Sequence, residues 1–290
     1  MPFFDQDRLE KISALFVEEL FDEEGSLARK YLEDERNLDP EILRPYEVGF
    51  CPPQVTYPCR DKRSLEGHLW YMRGRLIVMI RDHWGNILGF NGRRIDDCEE
   101  PLRECLCDQY GVDQGNEMTR EWTKRKWVNE SYQKSNFVFN LHRRKRDILK
   151  SGSVVVVEGC MDAIVLDAMG ITNVVSMLGT AISSMQIYLM KRYADHLVIC
   201  FDPDLAGAKA SEMILSNARE KGGMSSTIIK LNAGMDPDEA IMDPKEAPFL
   251  KQALINASDT ERNGDTIDLS SSSTRLALKI ASSRKSEEIQ

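Results

Sequence analysis

Ser153-Val154-Val155-Val156-Val157-Glu158-Gly159 and, further along, His196-Leu197-Val198-Ile199-Cys200-Phe201-Asp202-Pro203-Asp204 are the stretches that decide the fold. A strand covered on both faces loses its alternation and becomes continuously apolar, so each run reads as a buried strand. Each delivers acidic side chains at its carboxyl end, where open α/β sheets place their ligands. Glu158, Asp202 and Asp204 would repel one another there unless a divalent cation sat among them, and hard cations such as Mg²⁺ take oxygen-only surroundings. Metal-dependent phosphate chemistry is the first expectation.

Around these stretches the rhythm is strand, helix, strand, helix. Helices are predicted over Met161–Met169, Ser183–Arg192 and Leu205–Lys221, and further strands over Asn173–Leu178 and Ser225–Leu231. Together they make a small parallel sheet of the Rossmann-like kind with flanking helices. Upstream, Leu9, Ile12, Leu15, Phe16 and Leu20 recur at helical spacing, and Asp39-Pro40 opens a short helix. Arg75–Ile80, a turn at Trp84-Gly85-Asn86 and Ile87–Phe90 read as a hairpin. Residues 96–125 are polar and read as an inserted loop, and residues past about Ser258 as a largely disordered tail. The expected organisation is an α+β subdomain over 1–150, an α/β catalytic domain over 151–257, and a tail over 258–290.

The chain has 290 residues, 42% of them hydrophobic, enough to bury two cores. No apolar run is long enough to span a bilayer, and Met1-Pro2-Phe3-Phe4-Asp5 lacks a signal peptide's basic start. Seven cysteines at irregular spacing argue against a disulfide framework and for a reducing cytoplasm. The net charge of −9 is unevenly spread. Residues 1–59 carry 6 basic and 14 acidic side chains, 60–150 carry 19 and 14, and 151–290 carry 13 and 19. A basic middle that holds a polyanion and an acidic half that processes it with metal would fit, although ordinary solvated surface gives the same layout.

The blocks Val155–Asp162, Met177–Thr180 and Phe201–Gly207 resemble the Toprim domain of bacterial DnaG-type DNA primases, and Met235-Asp236-Pro237-Asp238-Glu239 is similar to that domain's last acidic motif. Tyr31-Leu32-Glu33, Tyr46–Phe50, Ile80–Arg93, Lys126–Ser131 and Asn140-Leu141 resemble the primase-specific subdomain that precedes Toprim. The likeness runs over about residues 10–250 in the family's order. Two departures stand out: no zinc-binding domain precedes Phe3, and 96–125 is longer than the family's linker. The expectation is a minimal catalytic core of the phage or plasmid type, working in the bacterial host cytoplasm if phage-encoded.

The resemblance implies template-directed synthesis of short RNA primers on single-stranded DNA. Glu158, Asp202 and Asp204 become catalytic metal ligands, and Asp236 and Asp238 extend the site to further metal or the triphosphate. Two or more Mg²⁺ or Mn²⁺ ions are expected. Asp162, Gly159, Gly179, Thr180 and Gly207 would support the site. Arg93, Lys126 and Asn129, then Arg36, Arg75 and Lys209, would meet template or nucleotide. The partners implied are single-stranded DNA, ribonucleoside triphosphates and a replicative helicase, with no membrane. Residues 258–290, with Leu276, Leu278 and Ile280, read equally as a helicase tether and as a dispensable tail.

Competing readings exist for each feature. An Asp-x-Asp after a strand can be only a helix cap. Arg143-Arg144-Lys145-Arg146 can be a solvated helix face or a DNA contact. Cys98, Cys105, Cys107 and His83 lack a paired Cys-x-x-Cys, so no zinc is expected. His68, His142 and His196 read as structural or surface. A Toprim nuclease and a catalytically weak adaptor binding single-stranded DNA and helicase are the alternatives. A type IA topoisomerase has no room here for its gate domains.

Overall fold

The computed structural model describes residues 6–54, 70–130, 132–179, 181–232, 234–259 and 264–287. Thr180, Ser131 and His68 lie outside these described residues. The chain divides into two compact units, Met1–Ile80 with Asn86–Tyr132, and Arg81–Gly85 with Gln133–Gln290. The observed division falls at Tyr132, ahead of the expected 150/151 boundary, because the segment after Gln133 bonds to the second sheet: Phe139 N donates to Ser176 O at 2.9 Å.

The first unit opens with helix α1 (Gln6–Phe21), whose Leu9, Ile12, Phe16 and Leu20 are buried at the spacing of one helical face. A short helix α2 (Ser26–Lys30) follows, and then a 3₁₀ turn over Pro40–Tyr46 where the sequence suggested a short helix. Asp39 caps that turn by accepting from Glu41 N at 2.9 Å. Strands β1 (Val48–Cys51), β2 (Arg75–Arg81), β3 (Ile87–Arg94) and β4 (Trp127–Asn129) form one sheet in that order. Helix α1 lies directly on β1, since a Cβ on Gly49 would stand 2.4 Å from the Phe16 backbone. Phe16 meets Phe90 edge-on at 5.3 Å between ring centroids.

The insertion is not a loop. Residues 96–125 hold helices α3 (Glu99–Tyr110) and α4 (Val112–Thr123), packed as a hairpin. Its few apolar residues fall on one face, with Leu102 and Leu106 at i, i+4 and Trp122 buried, which is sufficient for helices when the remaining surface is polar.

In the second unit helix α5 (Leu141–Ser151) leads into the central strand β5 (Ser153–Val157). Helix α6 (Cys160–Ala168), strand β6 (Val174–Ser176), helix α7 (Ser184–Lys191), strand β7 (His196–Ile199), helix α8 (Leu205–Gly222) and strand β8 (Ser225–Lys230) follow. Helices α9 (Pro237–Met242) and α10 (Ala247–Asp259), strand β9 (Asp265–Asp268) and helix α11 (Ser272–Glu287) complete the unit. All five strands are parallel, in the order β6-β5-β7-β8-β9. β5, β6 and β7 are buried throughout, as their continuously apolar runs require.

The C-terminal segment corrects the expectation of a largely disordered tail. Residues 264–287 add an edge strand to β8 and a helix that packs on α10. Ile267, Leu269 and Leu278 are buried, and Arg275 pairs with Glu246 while its guanidinium lies 4.6 Å from the Phe249 ring centre. The segment is spoken for by its own domain. Leu276 stays exposed.

Candidate active site

Val156 pairs with Ile199 across β5 and β7, so Glu158 and Asp202 leave the sheet at the same carboxyl edge. The Glu158 backbone is pinned there: its carbonyl accepts from Ser176 Oγ at 2.7 Å and from Gly179 N at 3.1 Å. Asp204 caps α8, with Oδ1 accepting from Gly207 N at 2.6 Å. Gly207 must be glycine for a steric reason. A Cβ there would stand 2.3 Å from Asp202 O and 2.8 Å from Glu158 Oε1, so its bare backbone lets the two acids share one edge. Asp162 is turned under its own helix, Oδ2 accepting from Gly159 N at 3.0 Å. Asp236 directly precedes α9, and Asp238 is buried with Oδ1 accepting from Glu239 N at 2.8 Å.

These acids raise one another's affinity for protons. Burial first, then the Asp202 charge, lifts Glu158 to about 7. Burial, then Asp236 and Asp204, lifts Asp202 to about 6. Burial, then Asp238 and Asp202, holds Asp162 well above the ordinary carboxylate range. All three directions mean the same thing: without a counter-charge the cluster resists ionisation.

Among the described residues no group of three Asp, Glu, His or Cys side chains stands in the arrangement of a ready-made metal cage. The donor chemistry nevertheless suits a hard divalent cation. Glu158 Oε1 and Asp202 Oδ1 are buried with no hydrogen-bond partner, leaving lone pairs for a ligand from outside the chain. Lys209 is exposed on α8 and has no ion pair among the described residues. Gly179 takes a φ of +149° next to the acidic edge.

The other cationic residues predicted from the sequence, Arg93, Lys126, Arg36 and Arg75, fall in the first unit. Arg93 and Arg36 both donate through Nε to the hydroxyl of Tyr31, at 3.1 and 3.0 Å, which brings them together. Arg93 also lies 5.7 Å from the ring centres of Tyr31 and Trp127. In the β3–β4 register Arg93 faces Trp127 and Asn91 faces Asn129, so strand alternation puts Arg93 and Asn129 on one face. Lys126 is exposed just before β4. Arg75 does not join them. It is wholly buried, donating to the carbonyls of Tyr71, Arg125 and Trp122 at 2.7, 3.0 and 3.1 Å, and burial followed by the charges of Arg94 and Arg93 lowers it to about 9. It clamps the α3–α4 hairpin and its flanking strand and has no donor facing a ligand. Sequence reasoning missed Ser176 and Trp127 as positioning residues; the signal for Trp127 was its place opposite Arg93.

Residues 155–241 match the Toprim-like family. Over 245 residues the chain is 29% identical to the DNA primase of Synechococcus elongatus, covering 74% of this chain and 32% of that protein. Over 248 residues it is 29% identical to the DNA primase of Legionella pneumophila, covering 78% of this chain and 39% of that one. Over about three quarters of its length the chain is similar to bacterial DNA primases. A solved structure of a DnaG primase catalytic domain bound to single-stranded DNA superposes with a TM-score of 0.65 at 22% identity, covering 94% of this chain and 86% of that one. The chain thus spans about a third of the length of the curated primases it matches. No helix among the described residues is long and apolar enough to cross a membrane.

Proposed function

We propose that this chain is the catalytic core of a DNA primase, joining ribonucleotides into short RNA primers on a single-stranded DNA template. The observation that carries the reading is the pair of partnerless buried oxygens, Glu158 Oε1 and Asp202 Oδ1, at neighbouring strand ends in a Toprim-like domain. In primer synthesis a 3′-hydroxyl attacks the α-phosphate of the incoming nucleoside triphosphate and pyrophosphate leaves. Mg²⁺ or Mn²⁺ would lower the pKa of the attacking hydroxyl and neutralise charge on the leaving group. Glu158 and Asp202 would hold the ion. Asp204 and Asp236, each at the start of a helix, extend the acidic edge. Asp162 and Gly207 set its geometry, the one as an internal cap and the other by leaving room. Arg93 and Arg36, held by Tyr31, present a guanidinium pair suited to phosphate oxygens, and Asn129 shares the Arg93 face. Lys126 and Lys209 supply mobile positive charge to the polyanion.

The test is incubation with single-stranded DNA, labelled ribonucleotides and Mg²⁺ or Mn²⁺. Short labelled RNA products that vanish in Glu158→Gln and Asp202→Asn support the reading. Loss of template without RNA synthesis would replace it with a Toprim nuclease.

A further inference from the structure

The tip of the hairpin between β2 and β3, which groups with the second unit, carries an aromatic that the proposed chemistry leaves unused. Trp84 is 69% exposed. Its ring rests against His83, centroids 4.7 Å apart. The tip is rigid: Asp82 Oδ1 accepts from Trp84 N at 2.8 Å and from Gly85 N at 2.9 Å, and Arg81 donates to Gly85 O at 2.9 Å. An exposed indole held by a fixed turn presents one flat face to solvent at little entropic cost.

Cations lie beside the neighbouring His83. Lys145 on α5 donates to His83 O at 3.4 Å. Arg192, at the carboxyl end of α7, is exposed and close enough, like Lys145, to act on the His83 imidazole electrostatically. Arg146 is exposed one residue beyond Lys145. The acids nearby are committed elsewhere, Asp147 to Arg144 and Asp195 to Lys191, while Asp82 Oδ1 closes the turn. Lys145, Arg146 and Arg192 have no ion pair among the described residues, and around His83 Lys145 and Arg192 face the single carboxylate of Asp82. An indole face for a base and free cations for phosphates are the two parts of a single-strand stacking platform.

The platform is not the acidic edge. Helix α7 descends from the carboxyl edge of the sheet and ends at Lys191, with Arg192 as its cap, shortly before β7 begins at His196. A strand rises about 3.3 Å per residue, so the run from His196 to Asp202 separates the two edges by roughly 20 Å. That distance corresponds to about six stacked nucleotides at roughly 3.4 Å each.

We infer that Trp84, Lys145 and Arg192 form a second single-strand binding site on the Toprim unit, taking a nucleobase on Trp84 and its phosphates on the two cations, several nucleotides away from the chemistry. The inference rests on the nucleic-acid reading above but not on catalysis. It is tested by fluorescence anisotropy on the full chain with oligo-dT, and with an abasic polymer of the same length. Trp84→Ala should weaken oligo-dT binding at least about fivefold, the low end of one stacked base, while Trp84→Phe retains most of it. Neither should change binding of the abasic polymer. Arg192→Ala and Lys145→Ala should each flatten the salt dependence on single strands by about 0.7 in log–log slope. The Trp84→Ala defect should fade for oligomers too short to reach both edges. Wild-type affinity in Trp84→Ala would refute the site and leave this face to a protein partner, and an equal loss on the abasic polymer would refute base stacking. Failure of the primase reading looks different: DNA binding with the predicted Trp84 effect, but no RNA made by the wild type.

Discussion

Replacing Glu158 by glutamine should make the metal-free protein more stable, and the gain should depend on pH. Burial, then the Asp202 charge, raises the Glu158 carboxyl from 4.5 to about 7. A raised acid holds its proton more tightly in the folded than in the unfolded state, so stability falls as pH climbs through this window. Below about pH 4 both states are protonated and the group costs nothing, whereas by about pH 8 the whole cost is present. A shift of this size is worth about 3 kcal/mol if none of it is screened. Glu158 is only partly buried, so solvent screening reduces the figure to about 1–2 kcal/mol. Glutamine keeps the shape and removes the charge. The variant should therefore melt roughly 2–6 °C above wild type at about pH 8, and the difference should shrink towards zero near pH 4.5. The assay is a melting curve by circular dichroism at both pH values, with EDTA and with millimolar Mg²⁺. On the proposed role Mg²⁺ would bind the folded wild type through this carboxylate, so it should raise the wild-type melting temperature more than the variant's. A gain that is equal at both pH values, or equal stabilisation of both proteins by Mg²⁺, would refute the reasoning.

Gly207→Ala places a methyl group 2.3 Å from Asp202 O and 2.8 Å from Glu158 Oε1. It should cost about 1–3 kcal/mol in melting and, through a shift of about 1 Å at the acids, roughly a hundredfold in primer synthesis. Arg93→Ala and Lys126→Ala should each flatten the salt dependence of single-stranded DNA binding by about 0.7, whereas Arg75→Ala should lower the melting temperature of the first unit instead. Asp167 is buried and accepts from Arg144 Nε and Asn140 Nδ2, both at 2.8 Å. Asp167→Ala removes the buried acceptor of Asn140 and leaves Arg144 with the more exposed Asp147, and should destabilise the second unit by about 1–3 kcal/mol, read by denaturant titration. Truncation after Ala257 removes the β9 pairing to β8 and the buried Ile267, Leu269 and Leu278. It should lower the melting temperature, and a truncated chain as stable as the full one would restore the view of 258–290 as a free tether.

The parallel sheet and its acidic edge were legible because burial on both faces is recorded locally. Val154–Val157 and His196–Ile199 can be nothing but interior strands, and a carboxylate directly after each has one place to go. The caps at Asp39 and Asp204 were equally local, each a side chain reaching a backbone N–H two or three residues on. Other features depend on partners far along the chain. Asp265–Asp268 has the composition of a loop and buries only Ile267, and it is a strand because β8 offers it a free edge. The helices over 96–125 need a surface for Leu102, Leu106 and Trp122, and no window of sequence shows one. Arg75 looked like its neighbour Arg93, yet it is buried because three carbonyls from the Tyr71 turn and the end of the helical hairpin converge on it. The sequence by itself determined which residues could be strands, caps and metal ligands, because those choices follow from each residue's immediate neighbours. Only the tertiary structure decided which charges face a ligand and which are spent inside, because the fate of a charge depends on the groups that folding brings around it.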